Sequence, residues 1–425
     1  MKYHVIVIGA GVAGLTATKY LSDAGYNVCL LEAAGIAGGR IATIHEEGFT
    51  GPVETGAEFI HGKLPFTFEL LKEGGISYET VEGSMIGVQN GVWQNEERDE
   101  NWDKFMKKLN QLKTDLTILE FLNKHFCEPH HLQLRQAVQR FAEGFDLADI
   151  SKASILSVKN EWKNIDKKQY RIKGGYGQLV NYLLNCCRSH NVAISFNSCV
   201  NEIKYNYESV TVSTTDNRQF TADKLIITVS VGVLQSGTIR YEPAVTDHAV
   251  AIQSLGFGPV IKFLLEFETS FWNEFDDDIG FMLTNEQVPT WWTQLPADTN
   301  LLTGWLGGGK AAERIFEDDE ALLQIALQSL ASIFRMPPAM LREELIHHKI
   351  INWQTVQHVK GGYSYRTLGT EQAIKVLSTP IDGTIFFAGE AITKGDSQGT
   401  VESALQSSYD TVIRLMRNYQ PQKLS

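Results

Sequence analysis

Residues 3–8 (YHVIVI) form a continuous apolar run, the pattern of a strand buried on both faces in a parallel sheet. Gly9-Ala10-Gly11-Val12-Ala13-Gly14 follows at once, then a helical stretch from Leu15 to Ala24 that Gly25 closes. Residues 27–32 (NVCLLE) read as a second strand ending on an acid, so the chain opens with one βαβ unit. Residues 64–165 differ in texture. They are rich in Lys, Glu, Leu and Gln at helical spacing, including Phe105, Leu109, Leu112, Leu116, Leu119 and Leu122, and predict several surface-packed helices. From Ile194 to Val229 the pattern alternates and is broken by turn residues such as Asn217-Arg218, so strands dominate, with 225–229 (LIITV) buried. Residues 259–267 (PVIKFLLEF) and 300–306 (NLLTGWL) predict strands of a second sheet. Glu320 to Phe334 reads as a helix stopped before Pro337-Pro338, and 384–387 (TIFF) as a last buried strand. Thr400 to Met416 reads as a terminal helix with Val401, Ala404, Leu405, Ser408, Val412 and Leu415 on one face.

The nucleotide-type strands stand at the start, middle and end of the chain, with no repeat or low-complexity linker between them. Two interwoven domains explain that order better than two in tandem. The expected class is α/β: a discontinuous Rossmann-type domain over 1–63, 168–240 and 355–425, threaded through an α+β substrate domain over 64–167 and 241–354. The glycines fit this frame. Gly9 permits the tight turn, Gly11 lets backbone approach a pyrophosphate, and Gly14 lets helix and strand pack closely. Glu32, within the expected roughly 20 residues of the last glycine, would bind adenosine ribose hydroxyls. The helix N-terminus would supply free N–H groups and a positive dipole to the phosphates. That much leaves NAD or FAD open. Gly38-Gly39-Arg40 adds a second anion site, suited to the other phosphate of an extended FAD. Residues 386–390 (FFAGE) repeat the strand, glycine turn and acid, where Glu390 can hold the ribityl or a phosphate-linked hydroxyl. The helix near Thr400 can aim its first amides at the flavin C2 carbonyl, where negative charge grows on reduction.

Composition narrows the partners. A chain of 425 residues with 43% hydrophobic residues can bury large cores, and its net charge of −12 argues against nucleic acid, which needs basic surface. Cys29, Cys127, Cys186, Cys187 and Cys199 are scattered, with no CxxC pair and no zinc-type His spacing, so buried reduced thiols and no metal are expected. The first strand starts near Tyr3, no apolar run approaches the roughly 20 residues that span a bilayer, and 418–425 are polar. The expectation is a cytoplasmic protein without membrane partners. Its oligomeric state is left open.

Taken together these residues resemble the flavin amine oxidase family, which includes monoamine oxidase, polyamine and spermine oxidases and the histone lysine demethylase catalytic domain. The resemblance runs from Val5 to about Met416. It rests on 9–14 with 38–41 (GGRI), 55–62 (TGAEFIHG), 173–179 (KGGYGQL), 256–267 (GFGPVIKFLLEF), 361–365 (GGYSY) and 387–404 (FAGEAITKGDSQGTVESA). It implies FAD held by Gly9, Gly11, Gly14, Glu32, Gly38, Gly39, Arg40, Gly56, Val200, Trp353, Gly389, Glu390, Thr400 and Val401. It also implies that Lys262 sits by the reactive N5 of the flavin and holds a water there. The residues agree, because a lysine flanked by Ile261 and Phe263 needs a polar reason to be buried; an edge-strand or snorkelling lysine is the plainer alternative. Tyr363 matches the aromatic wall facing the flavin, and Thr400 takes the second wall position, where monoamine oxidase has tyrosine. His61 matches a histidine near the substrate in polyamine oxidases. Trp353 is expected near the flavin, with a core tryptophan as the alternative. Monoamine oxidase attaches its flavin through a cysteine at the position of Gly362, so FAD here should be non-covalent.

The implied reaction is oxidation of the C–N bond of a small primary or secondary amine to an imine, with oxygen reduced to hydrogen peroxide. Polyamines are favoured, because Thr400 opposite Tyr363 leaves width for a longer chain. His61 could order a distal amine and Glu58 could line the route, unless Glu58 faces solvent and Thr400 is only a helix N-cap. An L-amino-acid oxidase would need an arginine for the carboxylate, for which Arg135, Arg140 and Arg366 are available. A hydrolase has one foothold, since 395–399 (GDSQG) fits GxSxG, but the serine does not follow its strand directly. A demethylase is disfavoured because no long charged helical hairpin is inserted. A non-catalytic flavin module would have no need of Lys262 and Tyr363.

Overall fold

A computed structural model of the chain describes residues 2–89, 91–95, 100–162, 168–395 and 397–421. Lys2–Ile8 lies in the middle of an eight-stranded sheet built from the described residues. On one side it pairs in parallel with Val28–Leu31, which pairs in parallel with Ala193–Ser195. On the other side lies Gln219–Ile227, also parallel. This long strand divides its outer edge. Its first half pairs antiparallel with Val210–Thr214, while Leu225–Ile227 pairs in parallel with Ile385–Phe387. The start, middle and end of the chain thus meet in one sheet. Val5 and Val7 face the helices Val12–Asp23, Gly177–Ser189 and Val401–Asn418, in a cluster with Leu15, Leu183, Val412 and Leu415. Ile6 and Ile8 face the opposite cluster with Leu225, Ile385 and Leu377. Both faces are covered, so the first strand is apolar throughout rather than alternating, and each such side chain contributes about 1.5–3 kcal/mol.

Among the described residues the second large sheet has seven strands, in the order Leu345–Asn352, Val260–Phe267, Leu301–Gly307, Thr290–Trp292, Ile279–Thr284, Ser84–Gln89 and Val92–Asn95. Val260–Phe267 is wholly buried, yet its faces differ. Ile261, Phe263, Leu265 and Phe267 pack on the helix Asp319–Phe334 through Leu323, Leu327 and Leu330. Lys262, Leu264 and Glu266 take the other face, because successive side chains on a strand point to opposite sides.

The sheet corrects the helical reading of 64–165. Helices do run over Pro65–Glu73, Glu100–Gln111, Ile118–His125, Leu132–Gly144 and Ile155–Trp162, but Tyr78–Thr80 and the hairpin Ser84–Gln89 with Val92–Asn95 are strands. The hairpin carries little alternation to read: Met85 is exposed and Gly87 has no side chain. The stripe from Phe105 to Leu122 falls on two of these helices, in keeping with the expectation of several. The second restarts at Thr117, whose Oγ1 accepts from the Glu120 N–H (3.1 Å) while Glu120 Oε2 accepts from the Thr117 N–H (2.9 Å). Residues 163–167 of the helical stretch and 422–425 of the polar tail lie outside the described residues. Cys29 and Cys187 are buried, whereas Cys127 is exposed, so burial holds for only part of the free-thiol set. Among the described residues no helix is long and apolar enough to cross a membrane.

Candidate active site

A continuous cavity of about 2740 Å³ is lined from both sheets. That is well beyond the roughly 300–1,000 Å³ of a site for one small ligand, and leaves room for an extended dinucleotide together with a substrate. Gly9, Gly11, Glu32, Gly38, Gly39, Arg40, Gly56, Val200, Trp353, Gly389, Glu390, Thr400 and Val401 all line it. Gly14 does not, since a Cβ there would stand 1.8 Å from the Gly9 carbonyl oxygen. It serves the helix–turn packing instead.

The first helix starts on the cavity wall with Gly11 as N-cap and no side-chain cap, which leaves first-turn N–H groups available to an anion. Gly9 turns there with φ of 101°. The Gly38 N–H donates to the Ala10 carbonyl (2.9 Å), so the second glycine pair is backed directly onto the first turn. Glu32 is buried, and both its oxygens are fixed by backbone: Ala10 N–H donates to Oε2 (2.6 Å) and Ala34 N–H to Oε1 (2.8 Å). Arg40 and Glu390, expected to act separately on the cofactor, form an ion pair at 2.8 Å. Arg40 also donates to the Gly362 carbonyl (2.8 Å), and Ser364 Oγ donates to the other oxygen of Glu390 (2.5 Å). Gln398, which lines the cavity, donates to Ser364 Oγ (2.9 Å), while its buried Oε1 has no protein donor. A free helix N-terminus, a fixed carboxylate and an orphaned acceptor in one long cavity fit an FAD.

At the other end Lys262 is fully buried, so it is neither an edge-strand nor a snorkelling lysine. Its Nζ donates to Glu58 Oε2 (2.8 Å) and to the Gly56 carbonyl (3.2 Å), and it lies 5.5 Å from the Trp292 ring centre. Glu58 does not face solvent. Burial alone would raise its carboxyl pKa, but the Lys262 and Arg171 cations and the bonds from Lys262 and Trp292 outweigh burial and bring it below the usual range. Glu58 Oε1 accepts from Arg171 Nε (3.0 Å) and Trp292 Nε1 (2.9 Å).

Aromatic rings line the space around this group. Strand register sets Trp305 opposite Lys262, and Trp305 stacks on Tyr363 with 6.4 Å between centres and 22° between planes. Tyr363 donates its hydroxyl to the Phe145 carbonyl (2.5 Å), which fixes the ring. Trp292, Phe59, Phe281 and Phe145 continue the wall. His61 contacts Phe59 and Phe145, and burial pushes its pKa down to about 4, so it is neutral at pH 7. Thr400 is both a wall residue and a helix cap. Its Oγ1 accepts from Ser403 N–H (3.2 Å) and donates to the Ser397 carbonyl (2.6 Å), so the hydroxyl is committed to the cap. Trp353 donates to the Thr55 carbonyl (3.0 Å) and is both core and cavity wall.

Gly362 is tightly packed: a Cβ there would meet Leu147 Cδ1 at 2.4 Å and Val260 Cγ1 at 2.8 Å, so both buried side chains would have to shift. Cys199, the cavity-lining cysteine, lies by Glu32 instead. Acid precipitation of the yellow protein is therefore expected to release intact FAD into the supernatant; colour staying with the pellet would contradict this.

Of the three arginines, Arg140 and Arg366 line the cavity and Arg135 does not. Arg140 donates to Asn285 Oδ1 (2.6 Å), and Arg366 ties the Gly395 carbonyl (2.6 Å). Ser397 of the GDSQG stretch also lines the cavity, but the preceding strand ends at Phe387; Asp396 lies outside the described residues. Arg171, Trp292 and Trp305 were not legible as site residues. The alternation of 260–267 was the available signal, since it places Lys262 and its cross-strand neighbours on one face.

The model of the family described as flavin containing amine oxidoreductase matches residues 12–416. Polyamine oxidase 2 of Arabidopsis thaliana is 26% identical, over 98% of this chain and 89% of its own. Polyamine oxidase 4 of Oryza sativa subsp. japonica is 25% identical over 95% and 86%. Lysine-specific histone demethylase 1B of Mus musculus is 25% identical over 92% of this chain, which spans only 51% of that relative. Among solved structures, putrescine oxidase bound to putrescine superposes with a TM-score of 0.82 at 20% identity, covering 98% and 99% of the two chains. Cyclohexylamine oxidase from Brevibacterium oxydans IH-35A gives 0.81 at 20% identity, with the same coverage. The βαβ cradle, the buried lysine in its aromatic wall and a family match over nearly the whole sequence lead to one assignment: this chain belongs to the flavin-containing amine oxidoreductases.

Proposed function

We propose that this protein oxidises a C–N bond of a small amine, polyamines being favoured, to an imine that water hydrolyses, with oxygen reduced to hydrogen peroxide. The observation that carries the reading is the buried Lys262 in an aromatic wall at one end of a cavity whose other end is a dinucleotide cradle. Glu32 would hold the adenosine ribose, the Val12–Asp23 helix N-terminus the pyrophosphate, and the 398–401 segment and Trp353 the flavin end. A flavin held there would supply the two-electron oxidation of the C–N bond.

The chain's own residues select and dry the substrate. Lys262 repels a second cation beside it, so the reacting nitrogen is taken neutral. The rings of Trp305, Tyr363 and Trp292 pack the apolar carbon chain beside that nitrogen. His61, neutral at pH 7, can bond a distal nitrogen without adding charge. The polyamine preference draws on relatives named polyamine oxidases and on the short Thr400 opposite Tyr363. The five free cysteines fit a reducing, cytoplasmic setting.

Arg140 on the cavity wall supports a second reading, an L-amino-acid oxidase whose arginine pairs the substrate carboxylate. A peroxide-coupled screen separates the two. Spermine, spermidine or putrescine should exceed benzylamine in kcat/KM; an L-amino acid better than every amine by more than tenfold would establish the arginine reading instead.

A further inference from the structure

Lys262 has three N–H bonds, and two are committed, to Gly56 and Glu58. Its aliphatic stem is flexible, so something other than the stem must fix the charged end. Glu58 is built for that. It lies in the loop before the strand Ile60–His61, and each carboxylate oxygen has a different duty. Oε2 takes Lys262, and Oε1 takes Arg171 and Trp292. Rotating the carboxylate would break all three contacts at once. Arg171 is itself immobile. From the strand Gln169–Ile172 it donates to the carbonyls of Leu295 (2.9 Å) and Thr293 (3.0 Å), and its guanidinium lies 4.7 Å from the Phe59 ring centre. Glu58, Lys262 and Trp292 line the cavity whereas Arg171 does not, and Arg171 is joined to Lys262 by the Glu58 carboxylate that both share.

We infer that Glu58, anchored by Arg171 and Trp292, is a positioning residue that fixes the Lys262 ammonium at the cavity wall. The side-chain inventory requires a carboxylate at 58. A glutamine has one acceptor oxygen and an NH₂ group, so either Lys262 or the Arg171–Trp292 pair would face donor against donor. In a dry wall this displaces the flexible partner, Lys262, rather than the tethered guanidinium.

This inference rests on the flavin amine oxidase reading, and its test uses the flavin of the holoenzyme as reporter without needing a substrate. Glu58→Gln should lower the flavin midpoint potential by about 30 mV, which is a tenfold change for a two-electron couple. In a Lys262→Met background the same change should shift it less than twofold in equilibrium terms, because the residue it acts through is gone. A full-sized shift in that background, no shift at all, or an upward shift from simple loss of negative charge would each overturn the assignment. If Glu58→Gln fails to fold, Arg171→Lys carries the same comparison, with a smaller downward shift that Lys262→Met again abolishes. Failure of the amine proposal shows separately, as wild-type holoenzyme that turns over no amine while the potentials still report on Glu58.

Discussion

Lys262→Met is expected to slow reoxidation of the reduced holoenzyme by oxygen about 10²–10³-fold, the usual cost of removing one preorganised donor from a site where charge develops. Methionine keeps most of the apolar stem of the lysine and adds no bulk, so the neighbouring rings need not move. What is lost is the ammonium. Glu58 then keeps Arg171 and Trp292 on Oε1 but loses its partner on Oε2, and the Gly56 carbonyl loses its donor from Nζ. Breaking one side of a buried pair costs about 3–5 kcal/mol, so the variant should also unfold at lower denaturant concentration. Arg171 still compensates Glu58, which places the stability loss toward the low end of that range. Stopped-flow mixing of photoreduced enzyme with oxygen reads the first effect and a urea titration the second. Reoxidation within threefold of wild type would remove Lys262 from the reaction.

The fold was legible where burial is two-sided. The strand at 3–8 and its glycine turn could be read because parallel strands under helices leave an uninterrupted apolar run and a fixed turn composition. The seven-stranded sheet hid its edges. Leu345–Asn352 carries His347, His348 and Lys349 and has no fully buried residue, so it shows no apolar run. The hairpin at 84–95 carries an exposed methionine and a mid-strand glycine.

The site divides in the same way. Lys262 stood out because a cation within an apolar strand is an anomaly at the level of sequence. Glu58 was visible only as an acid of unknown orientation. Its partners come from positions 171, 262 and 292, and no local pattern links them. Arg40 and Glu390 were both legible as polar groups beside glycine turns, but their mutual ion pair exists only because Ile385–Phe387 joins the same sheet as the first strand. Long-range pairing is what the sequence pattern does not carry.

Glu32→Ala is expected to give a folded protein that purifies nearly colourless, with FAD affinity reduced roughly 10–100-fold for each ribose bond lost, at about 1.5–3 kcal/mol per bond to a charged group. The carboxylate sits just past the strand Val28–Leu31 and is held from two sides, by the Ala10 N–H in the glycine turn and the Ala34 N–H beyond the strand. Each oxygen therefore keeps a lone pair for a ligand while its position is set before any ligand arrives. Alanine removes the ligand's acceptors and also leaves two backbone N–H groups without their carboxylate acceptor, which costs the apoprotein about 1–3 kcal/mol for each that water does not reach. That is small enough for a sheet buried on both faces to survive, so the two effects can be measured apart. Circular dichroism should report the wild-type fold, and titration with FAD should restore colour and activity at concentrations where the wild type is already saturated. Glu32→Gln should fall between them, since its one acceptor oxygen can serve one backbone N–H or one hydroxyl fully but not the whole set. A colourless Glu32→Ala protein that no concentration of FAD restores would mean that the glycine turn itself collapsed. Full occupancy as purified would mean that Glu32 does not hold the ribose.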